Sequence, residues 1–139
     1  MLFSKSTGAF YVRAVHGNNM PPDVVEITME EYGALLDGQQ LGKVIAADTA
    51  GRPVLQSASP EQLAAIERDW RDEELAALQW LRERHRDEVD LGRLTTLTAE
   101  QFIELLGYLQ ALRDWPQADA FPDQWQRPKE LSWIQEQIR

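Results

Sequence analysis

The sequence predicts an α+β protein: a small N-terminal ββαββ-like lobe, then a helical hairpin, then an irregular tail rich in aromatic residues and proline. Two patterns support this fold class. Short apolar runs separated by glycine-containing turns fill the chain up to about residue 55, and apolar residues then recur at helical period in two long segments. We expect the boundary at Ser57–Pro60, between an α+β lobe at 1–57 and a helical region with its tail at 58–139.

The first two apolar runs predict a β-hairpin. Leu2–Ser4 and Ala9–Val12 flank a polar stretch ending in Gly8, which can adopt positive φ. Phe10 and Tyr11 are neighbours on the second strand, so one side chain should enter the core while the other points outward. The segment that follows, His16–Pro22, has the composition of a loop.

A helix is predicted to begin at Thr28, whose hydroxyl can cap free amides while the Glu31 side chain reaches back. Its buried stripe is formed by Tyr32, Leu35 and Leu36. Gly38 is expected to supply the left-handed C-terminal cap. Lys43–Ala46 and Pro53–Leu55 then predict a second hairpin, which completes the ββαββ order.

The helical hairpin is predicted to begin with a second capping box, formed by Ser59 and Gln62, with Pro60 at the first helical position. The helix should run to about Asp90. Its apolar face contains Leu63, Ile66, Trp70, Ala77, Leu78 and Leu81. Glu74 lies near the centre of this face, which indicates that the face is only partly buried.

A third capping box, formed by Thr98 and Gln101, predicts the next helix, which extends to about Asp114. Its stripe consists of Phe102, Leu105, Leu106 and Leu109. Two amphipathic helices with a short connection should pack as an antiparallel hairpin. The tail then carries four aromatic residues outside any periodic segment, Trp115, Phe121, Trp125 and Trp133. Such residues either pack on their own domain or contact a partner, and the sequence leaves both alternatives open.

Composition narrows the classes of partner. The chain carries 23 acidic and 14 basic side chains, a net charge of −9, which disfavours binding to nucleic acid or to an anionic membrane surface. It has no cysteine, so a reducing cytosol is the expected compartment. Neither a secretory signal nor an apolar run long enough to span a membrane is visible.

The sequence predicts no catalytic, metal or cofactor site. Gly38–Val44 is one residue shorter than a P-loop and lacks its hydroxyl residue, so it is interpreted as a helix end followed by a strand. The two histidines, His16 and His85, lie in different lobes and have no clustered partner. The carboxylate pairs are adjacent residues on helices and therefore point to different faces, as for Glu73 and Glu74.

Three blocks of sequence resemble the tail fibre assembly chaperones of Pseudomonas-type phages, prophages and tail-like bacteriocins. The first block is Phe3–Tyr11 with His16-Gly17 and Met20-Pro21. The second is Val25–Thr28, Glu31-Tyr32, Leu35-Leu36, Gly38-Gln39, Gly42-Lys43 and Gly51–Leu55. The third is Tyr108, Ala111–Pro116, Phe121-Pro122, Arg127-Pro128 and Trp133. This chain departs from the terminal Trp-Pro-x-x-Pro element that members often have, since Trp125 is followed by Gln126.

The resemblance implies a non-enzymatic chaperone in the host bacterial cytoplasm, without a cofactor. Its partner would be the C-terminal, receptor-binding end of a tail fibre, which it helps to fold and trimerise; some relatives leave after assembly and others remain on the fibre tip. We expect the contact at the N-terminal hairpin, through Phe10 and Tyr11, and at the segment from Trp115 to Trp133, which could also support a homodimer.

Two alternatives remain at this stage. One is a small structural component of the tail or fibre tip. The other is an acidic inhibitor of a host nucleic-acid enzyme, although the mixed charges between Arg68 and Arg93 do not form the one-sided carboxylate array that such a decoy would need.

Overall fold

A computed structural model describes residues 1–137 and divides the chain into two compact units, Met1–Ser59 and the part that begins at Pro60. All strands among the described residues lie in the first unit, whereas the second is built from helices and turns. The α+β fold class is therefore confirmed.

The first unit contains an antiparallel sheet of three short strands, β1 (Leu2–Ser4), β2 (Ala9–Tyr11) and β3 (Val24–Glu26), in the order β2-β1-β3. Phe3 in the central strand lies opposite Phe10 in β2 and Val25 in β3, and it is buried. The predicted N-terminal hairpin is confirmed. A four-residue helix, α1 (Arg13–His16), and strand β3 were not predicted.

Helix α2 (Met29–Gln40) begins as predicted, with a complete capping box. The Glu31 amide donates to Thr28 Oγ1 at 3.0 Å, and the Thr28 amide donates to Glu31 Oε2 at 2.7 Å. The predicted cap at Gly38 is wrong. Gly38 is a buried helical residue against which the Leu55 side chain packs, and the positive φ of 86° falls at Gly42 instead.

The second predicted hairpin is also confirmed, as β4 (Lys43–Ala47) paired with β5 (Pro53–Ser57). In its loop the Asp48 amide donates to the Arg52 carbonyl at 2.9 Å, and Gly51 adopts a φ of +82°. This is the three-residue connection in which the last loop residue is left-handed, so glycine is favoured there.

The second unit is organised by α3 (Pro60–Asp90) and α4 (Ala99–Asp114). Helix α3 ends in a Schellman motif: Gly92 has a φ of +65°, and the Arg93 amide donates to the Glu88 carbonyl at 2.9 Å. The capping box of Thr98 and Gln101 is present at the start of α4. The box proposed for Ser59 and Gln62 stays a prediction.

The contacts between the two helices show that they pack antiparallel, since the C-terminal part of α3 meets the N-terminal part of α4. His85 stacks on Phe102, and Tyr108 donates a hydrogen bond to Glu74. The buried core of this unit consists of Leu78, Leu81, Leu97, Leu105, Tyr108, Leu109, Leu112 and Ile134. The face predicted for α3 needs two corrections. Ile66 is 39% exposed and Glu67 is buried in its place, and Ala77 is exposed as well.

The tail has little regular structure, as predicted. It consists of two 3₁₀ turns, Trp115–Gln117 and Gln124–Gln126, and the single helical turn α5 (Ile134–Gln137). Ile134 is only 1% exposed, so the tail returns to the core of its own unit. Within residues 1–137 there is no helix with the length and apolar character needed to cross a membrane.

Candidate partner-binding surfaces

Phe10 and Tyr11 occupy opposite faces of β2, as the alternation of side chains along a strand requires. The Phe10 ring lies 5.2 Å from that of Phe3 and 4.9 Å from that of Tyr32, so it belongs to the core of the first unit. Tyr11 packs against His16 instead, and its hydroxyl donates to Thr7 Oγ1 at 3.0 Å. Of the two, Tyr11 is the side chain that lies outside this core, and it is half-buried.

Among residues 1–137, strand β2 pairs only with β1, so its other edge is free. The Ile27 amide donates to the Met1 carbonyl at 2.9 Å, and this register makes β1 bond to β2 through Leu2 and Ser4. The N–H and C=O groups of Phe10 therefore point away from the sheet. This edge is short. The next amide on the same side of the strand, that of Val12, already donates to His16 Nδ1 at 3.0 Å.

A second free edge lies on β5, which among residues 1–137 pairs only with β4. The hydrogen bond from Asp48 to Arg52 fixes the register so that the N–H and C=O of Leu55 point outward. Beside this strand is a largely apolar groove of about 280 Å³, lined by Ile27, Glu31, Ala34, Leu35, Arg52, Pro53, Val54 and Leu55. Its polar residues, Glu31 and Arg52, neutralise each other in an ion pair of 2.7 Å. The groove therefore suits an uncharged, extended segment.

The turn of the N-terminal hairpin is held by Asp23, which precedes β3. The carboxylate of Asp23 accepts hydrogen bonds from Ser4 Oγ at 2.7 Å, from the Ser6 amide at 2.7 Å and from Ser6 Oγ at 3.0 Å. These donors, Ser4 first, lower the pKa of Asp23 because they stabilise the charged carboxylate. The hairpin and β3 are thus joined by side chains as well as through β1.

This arrangement predicts an acid-sensitive contribution to stability. Because the folded pKa of Asp23 is below its unfolded value, its contribution is present at neutral pH and is lost as pH falls through the folded pKa. Asp23→Asn should therefore lower stability at pH 7, and the difference from the parent should shrink below about pH 4. Thermal melts followed by circular dichroism measure the difference, and the Ser6 amide chemical shift reports the titration directly. A constant difference between pH 7 and pH 2 would contradict the prediction.

The aromatic residues of the tail have different environments. Trp115 is 3% exposed, and Phe121 packs edge-on against it at 5.4 Å. Trp133 is half-buried against the core, and its Nε1 donates to Glu104 at 2.8 Å. Trp125 is 73% exposed. The structure thus brings three of the predicted partner-binding rings onto their own unit and leaves Trp125 accessible.

An ion pair that was not predicted from the sequence holds this tail against α3. Glu67 is 2% exposed and accepts hydrogen bonds from Arg127 Nε at 2.8 Å, from Arg127 Nη2 and from Trp115 Nε1 at 3.1 Å. The guanidinium of Arg127 also lies over the Trp70 ring, 4.3 Å from its centroid. The signal was present in the spacing, since Glu67 is four residues after Leu63 and three before Trp70, on the apolar face.

A second polar contact lies within the core. Glu74, the carboxylate predicted to lie near the centre of the apolar face of α3, accepts a hydrogen bond from the Tyr108 hydroxyl at 3.1 Å. Burial, followed by the negative charge of Glu74, raises the pKa of Tyr108 above its ordinary value. The contact explains how α3 tolerates a carboxylate on this face.

The segment compared with a P-loop has a different order of elements. Gly38–Gln40 form the last turn of α2 and Lys43 begins β4, so a helix precedes a strand, the reverse of a P-loop. Among residues 1–137 no three histidine or acidic side chains are placed to hold a metal ion.

The fold and these surfaces define a small α+β protein with exposed strand edges on its first unit. Over 96 residues, 67% of this chain, the sequence is 35% identical to a probable tail fiber assembly protein of Shigella phage SfV, and the match spans 58% of that relative. The chain is thus a relative of the phage tail fibre assembly proteins, as the three sequence blocks indicated. No family model matches the chain, and no solved structure matches it.

Proposed function

We propose that this protein is a non-enzymatic chaperone that binds the distal, receptor-binding end of a tail fibre and assists its folding and trimerisation in the host cytoplasm. The observation that carries the proposal is the similarity to a probable tail fiber assembly protein. The physical need is clear, because intertwined β-rich fibres form slow, non-local contacts and expose unpaired strand edges meanwhile.

The first unit has the features that such a partner requires. Two of its free edges, at Phe10 in β2 and at Leu55 in β5, offer backbone donors and acceptors to an added strand. The groove beside β5 offers apolar surface for alternate side chains of that strand. We infer that an unpaired fibre strand docks on one of these edges. Tyr11, beside the β2 edge, and Trp125, in the second unit, each add a contact to the fibre.

The test is co-expression of the cognate fibre with the parent chain or its variants, followed by measurement of soluble fibre trimer. Tyr11→Ala and Trp125→Ala should each weaken fibre binding by about tenfold or more, as expected when an interface anchor is truncated. Tyr11→Phe is the matched control for the ring, since it removes only the hydrogen bond to Thr7. Trp80→Ala is the control for an exposed tryptophan elsewhere, because Trp80 is 40% exposed.

Two outcomes would count against the proposal in different ways. If fibre solubility does not depend on the parent chain, the chaperone function is wrong. If it does depend on the parent chain, but folded Tyr11→Ala and Trp125→Ala variants both support the parental trimer yield, only the assigned contacts are wrong. Circular dichroism establishes that each variant is folded.

A further inference from the structure

The end of the helical hairpin exposes apolar side chains that the proposed fibre contact does not use. Val89, Leu91 and Leu94 are 56%, 70% and 97% exposed, and they follow one another through the last turn of α3 and the connection to α4. Together with Arg82, Arg86 and Asp90 they form what we call the hairpin-tip surface. A cluster of aliphatic residues beside charged ones is typical of a protein interface.

Buried polar atoms next to this surface lack partners. His85 is 7% exposed and stacks on Phe102 with ring centroids 3.9 Å apart, yet its Nδ1 has no hydrogen-bond partner within the described chain. The same holds for Nε of Arg82, one turn earlier. His85 also lines a groove of about 290 Å³ together with Arg86, Val89, Asp90 and Phe102. This groove is a recess in the hairpin-tip surface that a side chain from outside can enter.

The charge pattern of the surface is complementary to itself. Arg82, Arg86, Val89 and Asp90 share one face of α3 by helical spacing. Arg86 and Asp90 have opposite charges and lie one turn apart, with Val89 between them in sequence. A partner of uniform charge would be repelled by one of the two. A second copy of α3 running antiparallel would instead place each Arg86 opposite Asp90 of the other copy, with the two Val89 side chains near the axis.

We propose that two copies of this chain associate through the hairpin-tip surface about a two-fold axis. The interface is isologous, so each contact occurs twice. Val89, Leu91 and Leu94 supply its apolar centre, the Arg86–Asp90 pairs fix the register, and the open groove at His85 receives side chains of the second copy. This proposal is independent of the fibre function and can be tested on the purified chain alone.

Sedimentation equilibrium of the full chain should show a monomer–dimer equilibrium. Arg86→Glu brings like charges together twice and should weaken the dimer by about tenfold or more. Arg113→Glu is the matched control, because it makes the same charge change at an exposed position near the other end of α4. Leu94→Ser should also weaken the dimer without affecting folding, since Leu94 is almost fully exposed.

The double variant with Arg86→Glu and Asp90→Arg is the decisive measurement. It restores opposite charges across the two-fold axis, so it should associate with itself at near-parental strength and only weakly with the parent chain. A parent chain that is monomeric at millimolar concentration overturns the proposal. So does a dimer that Arg86→Glu and Arg113→Glu weaken equally, or a double variant that does not recover association.

Discussion

Arg127→Ala is expected to destabilise the second unit by about 3–5 kcal/mol, because it leaves the buried Glu67 carboxylate without its cation. Glu67 is 2% exposed, and in the absence of Arg127 it would keep only the Trp115 hydrogen bond among its described partners. The variant also removes the guanidinium from the Trp70 ring. We expect the segment from Phe121 to Trp133 to detach at a lower denaturant concentration than in the parent.

The measurement is urea unfolding followed by tryptophan fluorescence. All five tryptophans lie between Trp70 and Trp133, so this signal reports the second unit alone. Arg93→Ala is the matched control, because Arg93 is exposed and its removal should change stability by less than about 0.5 kcal/mol.

A further variant separates the cost of an unpaired charge from the loss of packing. Replacing both Glu67 and Arg127 with methionine removes the uncompensated charge, so it should recover part of the stability that Arg127→Ala loses. Unfolding of Arg127→Ala at the parental midpoint would show that the ion pair does not hold the tail in place.

Leu105→Ala should lower the free energy of unfolding of the second unit by about 2–5 kcal/mol. Leu105 has no exposed surface and lies within the cluster that joins α3, α4 and α5. The substitution loses the transfer energy of the side chain and leaves a cavity that the two packed helices can close only partly.

Leu94→Ala is the matched control, since it makes the same chemical change at a residue that is 97% exposed. Both variants are compared by urea unfolding at a protein concentration low enough for the chain to be monomeric. If Leu105→Ala and Leu94→Ala unfold at the same midpoint, Leu105 does not contribute to the core between α3 and α4.

The helices could be predicted well because their signals are local. The capping boxes at Thr28 and Thr98 need only residues three apart, and Pro60 begins α3 as its fixed φ favours. The positions at which the helices end were harder to predict. Gly38 is a glycine, the residue type that most favours a helix C-terminal cap. However, Leu55 from β5 packs against it, so α2 continues and Gly42 makes the turn.

The candidate site was predictable only in part, because the fate of an aromatic residue depends on distant groups. Phe10 and Tyr11 could be assigned to opposite faces from strand geometry alone. For Trp115 and Trp133 the deciding partners are Glu67 and Glu104, which are 48 and 29 residues away in sequence. Since no local pattern links such residues, the sequence offered core and interface as equal alternatives.

By itself, the sequence determined the class of fold, the positions of the long helices and the strands of the two β-hairpins. It could do so because hydrophobic period and capping act over a few residues. Only the tertiary structure decided that β3 pairs with β1, since three residues carry too little alternation to predict a strand. It also decided that α3 buries Glu67 rather than Ile66. A carboxylate can occupy a core face only when a cation reaches it, and that cation, Arg127, lies 60 residues further along the chain.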